Sequence, residues 1–260
     1  MIQVETLKNY YPPLVRDNAL LDKYIIKEYI QLLMLDYLST SHYVRKITFI
    51  GGTCLRLVKG IDRFSEDLDF DCKGFTEDEF IKMTDSVLQF LQRNGFQAEV
   101  RDRENSRLQS FRRSFYFPGL LLDLGLTGHR EERFLIKVES QDQMVDYKAN
   151  LVNIRGCGFF FPFPVPPDQV LCAMKVAAML ERQKGRDFYD AMFLLGQTQP
   201  DYSFLNAKCH ISGPEALKQA TEKMIKTVDL KKKSKDFEHL LFNKSNSSLI
   251  LRAKEFFMEL

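Results

Sequence analysis

The chain has 260 residues, 45% of them hydrophobic and 28% charged, enough for a self-supporting core in one large domain or two modest ones. Its 37 basic and 35 acidic side chains leave a net charge of +2, too small an excess for a protein built mainly to coat nucleic acid. No run of about 18 apolar residues occurs, so no transmembrane helix is expected, and the opening Met1-Ile2-Gln3-Val4-Glu5 lacks the apolar core of a secretory signal.

Taken in chain order, residues 14–38 read as a helix. Leu21, Ile25, Tyr29, Leu32 and Leu33 recur at three- and four-residue steps, with Lys23, Lys27 and Glu28 on other faces. Residues 39–45 read as a connection and Ile47–Ile50 as a short apolar strand running into Gly51-Gly52. Residues 53–59 read as a short helix. Asp62–Glu66 breaks the pattern. Asp67-Leu68-Asp69-Phe70-Asp71 then alternates acid and apolar residues, the period of a strand. An amphipathic helix is expected over 76–94, with Thr76 as N-cap, Glu79 closing a capping box and Gly95 just beyond its end. Strands follow near 96–103, 111–117 and 133–140.

Pro162, Pro164, Pro166 and Pro167 punctuate the chain, and beyond them it reads as helical: 168–183, 186–195, and parts of 213–227, 234–242 and 247–259. The expected organisation is an α+β domain over 1–165, a mixed sheet with flanking helices and an N-terminal helix. A C-terminal helical bundle over 166–260 is expected to close over the site. The five cysteines, Cys54, Cys72, Cys157, Cys172 and Cys209, include no Cys-x-x-Cys pair, and the four histidines are scattered. Reduced thiols in a cytoplasmic protein are the plain expectation. Any metal should be a hard cation held by carboxylates.

Residues 47–71 concentrate the chemistry. A strand feeds Gly51-Gly52-Thr53 at a helix start, where backbone N–H groups and the positive end of the helix dipole suit a phosphate. Fifteen residues after Gly52 comes Asp67, then Asp69, and period two puts both carboxylates on one strand face. Two such charges repel and raise each other's pKa unless a cation lies between them, and one Mg²⁺ ion or a pair is the simplest compensation. Either feature alone has a bland reading, as a turn or as a solvated strand face. Together they are two halves of a phosphoryl-transfer site.

At these residues the chain resembles the nucleotidyltransferase superfamily of the DNA polymerase β type. The fuller string, Gly51-Gly52-Thr53, Leu55-Arg56-Leu57 and Arg63-Phe64-Ser65-Glu66-Asp67-Leu68-Asp69-Phe70, resembles its AbiEii branch, the toxins of type IV toxin–antitoxin and abortive-infection systems. A second stretch, Lys175–Arg182 followed by Lys184-Gly185-Arg186-Asp187-Phe188-Tyr189-Asp190, is similar to that branch's helical motifs. The resemblance spans roughly residues 45–196. It implies a nucleotidyltransferase-type sheet, a nucleoside triphosphate (NTP) substrate, metal ligands Asp67 and Asp69, and phosphate contacts from Gly51, Gly52, Thr53, Ser65 and Lys175. It also implies a supporting role for Asp187, a cognate antitoxin, and an acceptor that in related toxins can be tRNA. A third metal-site acid is implied as well: Glu139, at the end of an apolar strand, or Asp123, inside Leu120–Leu124.

Read on the residues alone, Lys175 is the one charge between Gln169 and Leu180. It either snorkels outward or needs an anionic partner, a role triphosphate would fill. Arg186 and Asp190, four apart, can pair on a helix surface. Arg101, Arg103, Arg107, Arg112 and Arg113 beside Phe111, Phe115 and Tyr116 suit RNA, or form an ordinary solvated hairpin. The Lys231–Lys235 run reads as a solvated face. Two other functions stay open on sequence grounds: a non-catalytic nucleotide- or RNA-binding module on the same fold, and a nucleotidyltransferase acting on a small molecule such as an antibiotic.

Overall fold

The structure is a computed structural model that describes residues 3–101 and 110–259; Arg103, Arg107 and the end of the strand expected at 96–103 lie outside them. The described residues divide into two compact units. One comprises those within Met1–Gly60, Phe64–Met144 and Asn150–Val165, the other those within Ile61–Arg63, Val145–Ala149 and Pro166–Leu260.

The first unit is α+β. After two short helices, α1 (Val4–Lys8) and α2 (Pro13–Arg16), comes the long α3 (Asp22–Thr40). Then follow β1 (Ile47–Ile50), α4 (Gly51–Cys54), β2 (Leu68–Cys72), α5 (Glu77–Arg93), β3 (Glu99–Arg101), β4 (Phe111–Tyr116), α6 (Leu120–Asp123) and β5 (Leu135–Gln141). The sheet order is β1-β2-β5-β4-β3, with β2 and β5 parallel and every other pair antiparallel.

Alternation gives the sheet one apolar face, with Phe49, Phe70, Ile136, Val138 and Phe115 all buried. Helix α5 packs on it, stacking Phe80 on Phe111, and α3 contacts α5. The expected capping box starts α5: Thr76 Oγ1 accepts from Glu79 N and Glu79 Oε2 accepts from Thr76 N. Glu28, read as lying on a face other than the apolar one, is not solvated. It is buried on α3, where the Arg56 guanidinium and the Tyr11 hydroxyl donate to its carboxylate and satisfy it.

The stretch read as a proline-punctuated joint is a hairpin, β6 (Asn150–Gly156) paired with β7 (Phe159–Val165). Pro162 and Pro164 are two residues apart, so both missing N–H groups fall on one edge of the ribbon, where no partner strand needs them. Phe161, Phe163 and Val165 alternate inward, and Phe163 packs on Phe49 and Phe70.

The second unit is helical: α7 (Asp168–Arg182), α8 (Gly185–Leu195), α9 (Tyr202–Cys209), α10 (Pro214–Ile225), α11 (Leu230–Lys235) and α12 (Ala253–Met258), with a 3-10 stretch at Lys244–Arg252. Helix α9 had no counterpart among the expected elements; Asp201 caps it by accepting from Phe204 N at 2.8 Å, and it buries Phe204 and Leu205. Gly185 fixes how α8 begins. A Cβ there would stand 1.9 Å from the Lys233 carbonyl oxygen, and the Gly185 N–H donates to Asp236.

Candidate active site

The glycine turn and the aspartate strand meet. Gly51 has φ +82°, a left-handed conformation that follows directly from β1, and the Asp69 carboxylate lies over its Cα. A Cβ at Gly51 would come within 2.0 Å of Asp69 Oδ2, so only glycine admits the carboxylate there. Helix α4 opens at this point and widens into a π-helical turn over Leu55–Lys59 that ends at the left-handed Gly60. The buried Thr53 hydroxyl donates to the Asp67 carbonyl oxygen, tying the turn to the entry of β2. That hydroxyl is therefore committed internally, while the backbone N–H groups at the start of α4 belong to the helix's unpaired first turn. Ser65 is buried just before β2, and its carbonyl accepts from Gln31 on α3.

The register places Glu139 beside Asp69. The two are Cα partners in the parallel β2–β5 pair, so their side chains share the polar sheet face with Asp67. Asp123 is elsewhere, exposed at the end of the short α6. Two cations enter the acid cluster. Arg112, the β4 partner of Glu139, grips both of its oxygens, Nε to Oε1 at 2.7 Å and Nη2 to Oε2 at 2.9 Å. Lys137 Nζ lies 3.8 Å from Asp67 Oδ1.

Lys137 did not stand out in the sequence, and Arg112 did so only as a member of the arginine cluster. The arginine cluster expected near the hairpin is split by strand alternation. Arg112 faces the carboxylates; Arg113 faces α5, donating to Asp85 and Thr84; Arg101 lies over the Tyr116 ring. Phe111 and Phe115 belong to the apolar side.

Among the described residues, no three histidine, cysteine, aspartate or glutamate side chains are grouped to hold a metal ion as they stand. The Glu139 carboxylate is held in the Arg112 fork. By donor chemistry Asp67 and Asp69 do suit a hard divalent cation. Burial, and then the nearby Glu139 and Glu66 charges, push the Asp67 carboxyl above its usual range against the pull of Lys137 and Lys27. A carboxyl whose folded pKa is raised is a cost to the folded state once it ionises, and that cost vanishes at low pH where both states are protonated. Asp67→Asn should therefore melt higher than the parent at pH 7 in the presence of a chelator. The gain should shrink as pH falls through the carboxylate range, and Mg²⁺ should raise the melting temperature of the parent more than that of the variant. Parallel thermal melts at pH 7 and pH 4 check both points.

The downstream motif is built inside the helical unit. Lys175, 7% exposed on α7, donates to Asp190 Oδ2 at 2.8 Å, and Arg63 grips the same carboxylate with Nε at 2.7 Å and Nη2 at 2.6 Å. Asp190, expected to pair with Arg186, is turned inward instead, because two buried cations need it. Burial alone would raise its carboxyl, but Arg63 and then Lys175 outweigh it and hold it down at about 2. Asp187 is also buried. It accepts from Arg182 Nη2 at 2.7 Å and from Lys184 N, which caps the start of α8. The neighbouring Asp62 accepts from Tyr189 and Asn246, so the Asp62-Arg63 pair is embedded in the helical unit.

The glycine turn after β1, Asp67 just ahead of β2, Asp69 on it and Glu139 in register on the parallel β5 stand in the order that the resemblance to nucleotidyltransferases implies. The family model described as nucleotidyl transferase AbiEii toxin, type IV toxin–antitoxin system, matches residues 32–241, and the chain belongs to that family. The match reaches beyond residues 45–196 at both ends, taking in part of α3 and most of the helical unit. The fold resembles that of MenT4, a nucleotidyltransferase toxin from Mycobacterium tuberculosis H37Rv, at 16% identity and a TM-score of 0.67, covering 100% of this chain and 91% of that one. It also resembles JHP933 from Helicobacter pylori, at 18% identity and a TM-score of 0.53, covering 91% and 93%. No curated protein sequence matches the chain. No helix among the described residues is long and apolar enough to cross a membrane.

Proposed function

We propose that the protein is a Mg²⁺-dependent toxin enzyme that moves a nucleotidyl group from an NTP to an acceptor hydroxyl, on tRNA or protein, and is neutralised by a cognate antitoxin. The observation that carries the reading is the Asp69 carboxylate lying on the Gly51 turn in register with Glu139. A phosphate-binding turn and a metal-binding strand are of use together only if one ligand carries both phosphate and metal.

In this reading the N–H groups of Gly51, Gly52 and Thr53 bind triphosphate oxygens, aided by the Ser65 hydroxyl. Asp67 and Asp69 would hold Mg²⁺, which when bound neutralises phosphate charge and polarises the reacting phosphorus. The chain's own work is placement. Thr53 fixes the turn against β2, and Gly51 sets Asp69 over it. Glu139 completes the carboxylate set and is within the set able to take the proton of the attacking hydroxyl as the α-phosphorus–oxygen bond to pyrophosphate breaks. Most of the rate then comes from positioning and charge neutralisation.

Incubation with each labelled NTP, Mg²⁺ and total tRNA, followed by intact-mass analysis of RNA and protein, tests the proposal. A gain of one or more nucleotidyl units on either acceptor, with pyrophosphate released, is expected. Nucleotide bound without transfer to any acceptor would make the protein a binding module. The third acid has its own test in initial rates: Glu139→Gln should lose at least ~10²-fold and Asp123→Asn almost nothing. The reverse order would move the role to Asp123.

A further inference from the structure

Asp69, Glu139 and Arg112 form one row across β2, β5 and β4, each the register partner of the next. The guanidinium engages both oxygens of the acid that the proposed reaction needs for its cation. We infer that Arg112 is a positioning residue for the third acid: it holds Glu139 in the metal-free enzyme and surrenders it when a divalent cation is bound by Asp67 and Asp69. This rests on the reading of Glu139 as a metal-site carboxylate.

Exposure makes the exchange feasible. The Arg112 and Glu139 side chains are 40% and 24% exposed, so water can take over the guanidinium once it is released. An ion pair in that setting is weak, worth up to about fivefold in an equilibrium constant, which a divalent cation readily exceeds. The contrast lies within the same protein. Arg63 grips Asp190 with the same two-point geometry at 1% exposure for each partner, where release would strand a buried charge. One arginine fork is fixed and the other is releasable. Once freed, Arg112 is a cation on the polar sheet face next to the reacting phosphates.

Mn²⁺ binding measured by calorimetry without nucleotide tests this on four proteins: the parent, Arg112→Gln, Glu139→Gln and the double variant. Arg112→Gln should bind Mn²⁺ up to about fivefold more tightly, because Glu139 no longer has to be pulled from the fork. Glu139→Gln should bind more weakly, and adding Arg112→Gln to it should change nothing further. Arg112→Lys, which keeps the charge but loses the fork, should also tighten binding. A merely structural role would loosen the site, so tighter binding separates the two.

Unchanged or weaker binding by Arg112→Gln, with Glu139→Gln still impaired, overturns the inference and leaves Glu139 as a ligand. An equal gain in both backgrounds also overturns it, because Arg112 would then act only as a nearby charge. Unimpaired Mn²⁺ binding by Glu139→Gln removes the third-acid reading itself.

Discussion

Asp69→Asn should abolish nucleotidyl transfer, by at least about 10³-fold in turnover, while the protein remains folded. The amide has the shape of the carboxylate it replaces, so it fits over Gly51 where no side chain competes for space. It lacks the charge that draws a hard cation, and the site would lose the proposed ligand in direct contact with the glycine turn. Labelled-nucleotide transfer to the acceptor found by mass analysis gives the rate, and circular dichroism gives the fold. Near-normal transfer by a well-folded Asp69→Asn protein would sink the mechanism.

Asp190→Asn should have the opposite profile, a large loss of stability. The substitution leaves the Arg63 guanidinium and the Lys175 ammonium buried beside a neutral amide. Stranding buried charges in this way costs about 3–5 kcal/mol, or roughly 10 °C in melting temperature for a chain of this size. Lys175→Met should cost less, since Asp190 keeps the two-point contact with Arg63. The same cluster predicts acid sensitivity. The Asp190 carboxyl is held at about 2 against an ordinary 3.8, so its stabilisation is complete above pH ~4 and fades as pH falls toward 2. Urea denaturation at pH 6 and pH 3 should show the gap between parent and Asp190→Asn narrowing at the lower pH.

The parts legible in the sequence are those whose physics is local. The Thr76–Glu79 capping box, the acid–apolar alternation of β2 and the glycine turn after β1 each follow from spacing within a few residues. What stayed hidden depends on partners far along the chain. Lys175 read as either snorkelling or needing an anion, nothing in the spacing pointed to Asp190, and Arg63 carried no sign that it would be fully buried. Arg112 and Arg113 are adjacent, and only the pleat sends them to opposite faces, one to Glu139 and one to α5. The β6–β7 hairpin was masked by prolines. Alternating phenylalanines at 159, 161 and 163 were the available signal, and it competed with the break that prolines impose inside a paired strand.

Ile61–Arg63 sits in the chain just ahead of the carboxylate strand but belongs to the helical unit. During synthesis this tripeptide leaves the ribosome long before its partners: Asp62 and Asn246 are 184 residues apart, and Arg63 and Asp190 are 127 apart. At ordinary elongation rates the wait for Asn246 is roughly 10–40 s. Ile61–Arg63 is therefore translated early but gains its native contacts late, whereas Ser65 and Glu66 just after it bond to Gln31 and Lys27, which are already made. A nascent chain stalled before residue 190 carries every carboxylate of the proposed site but none of the anchor for Arg63.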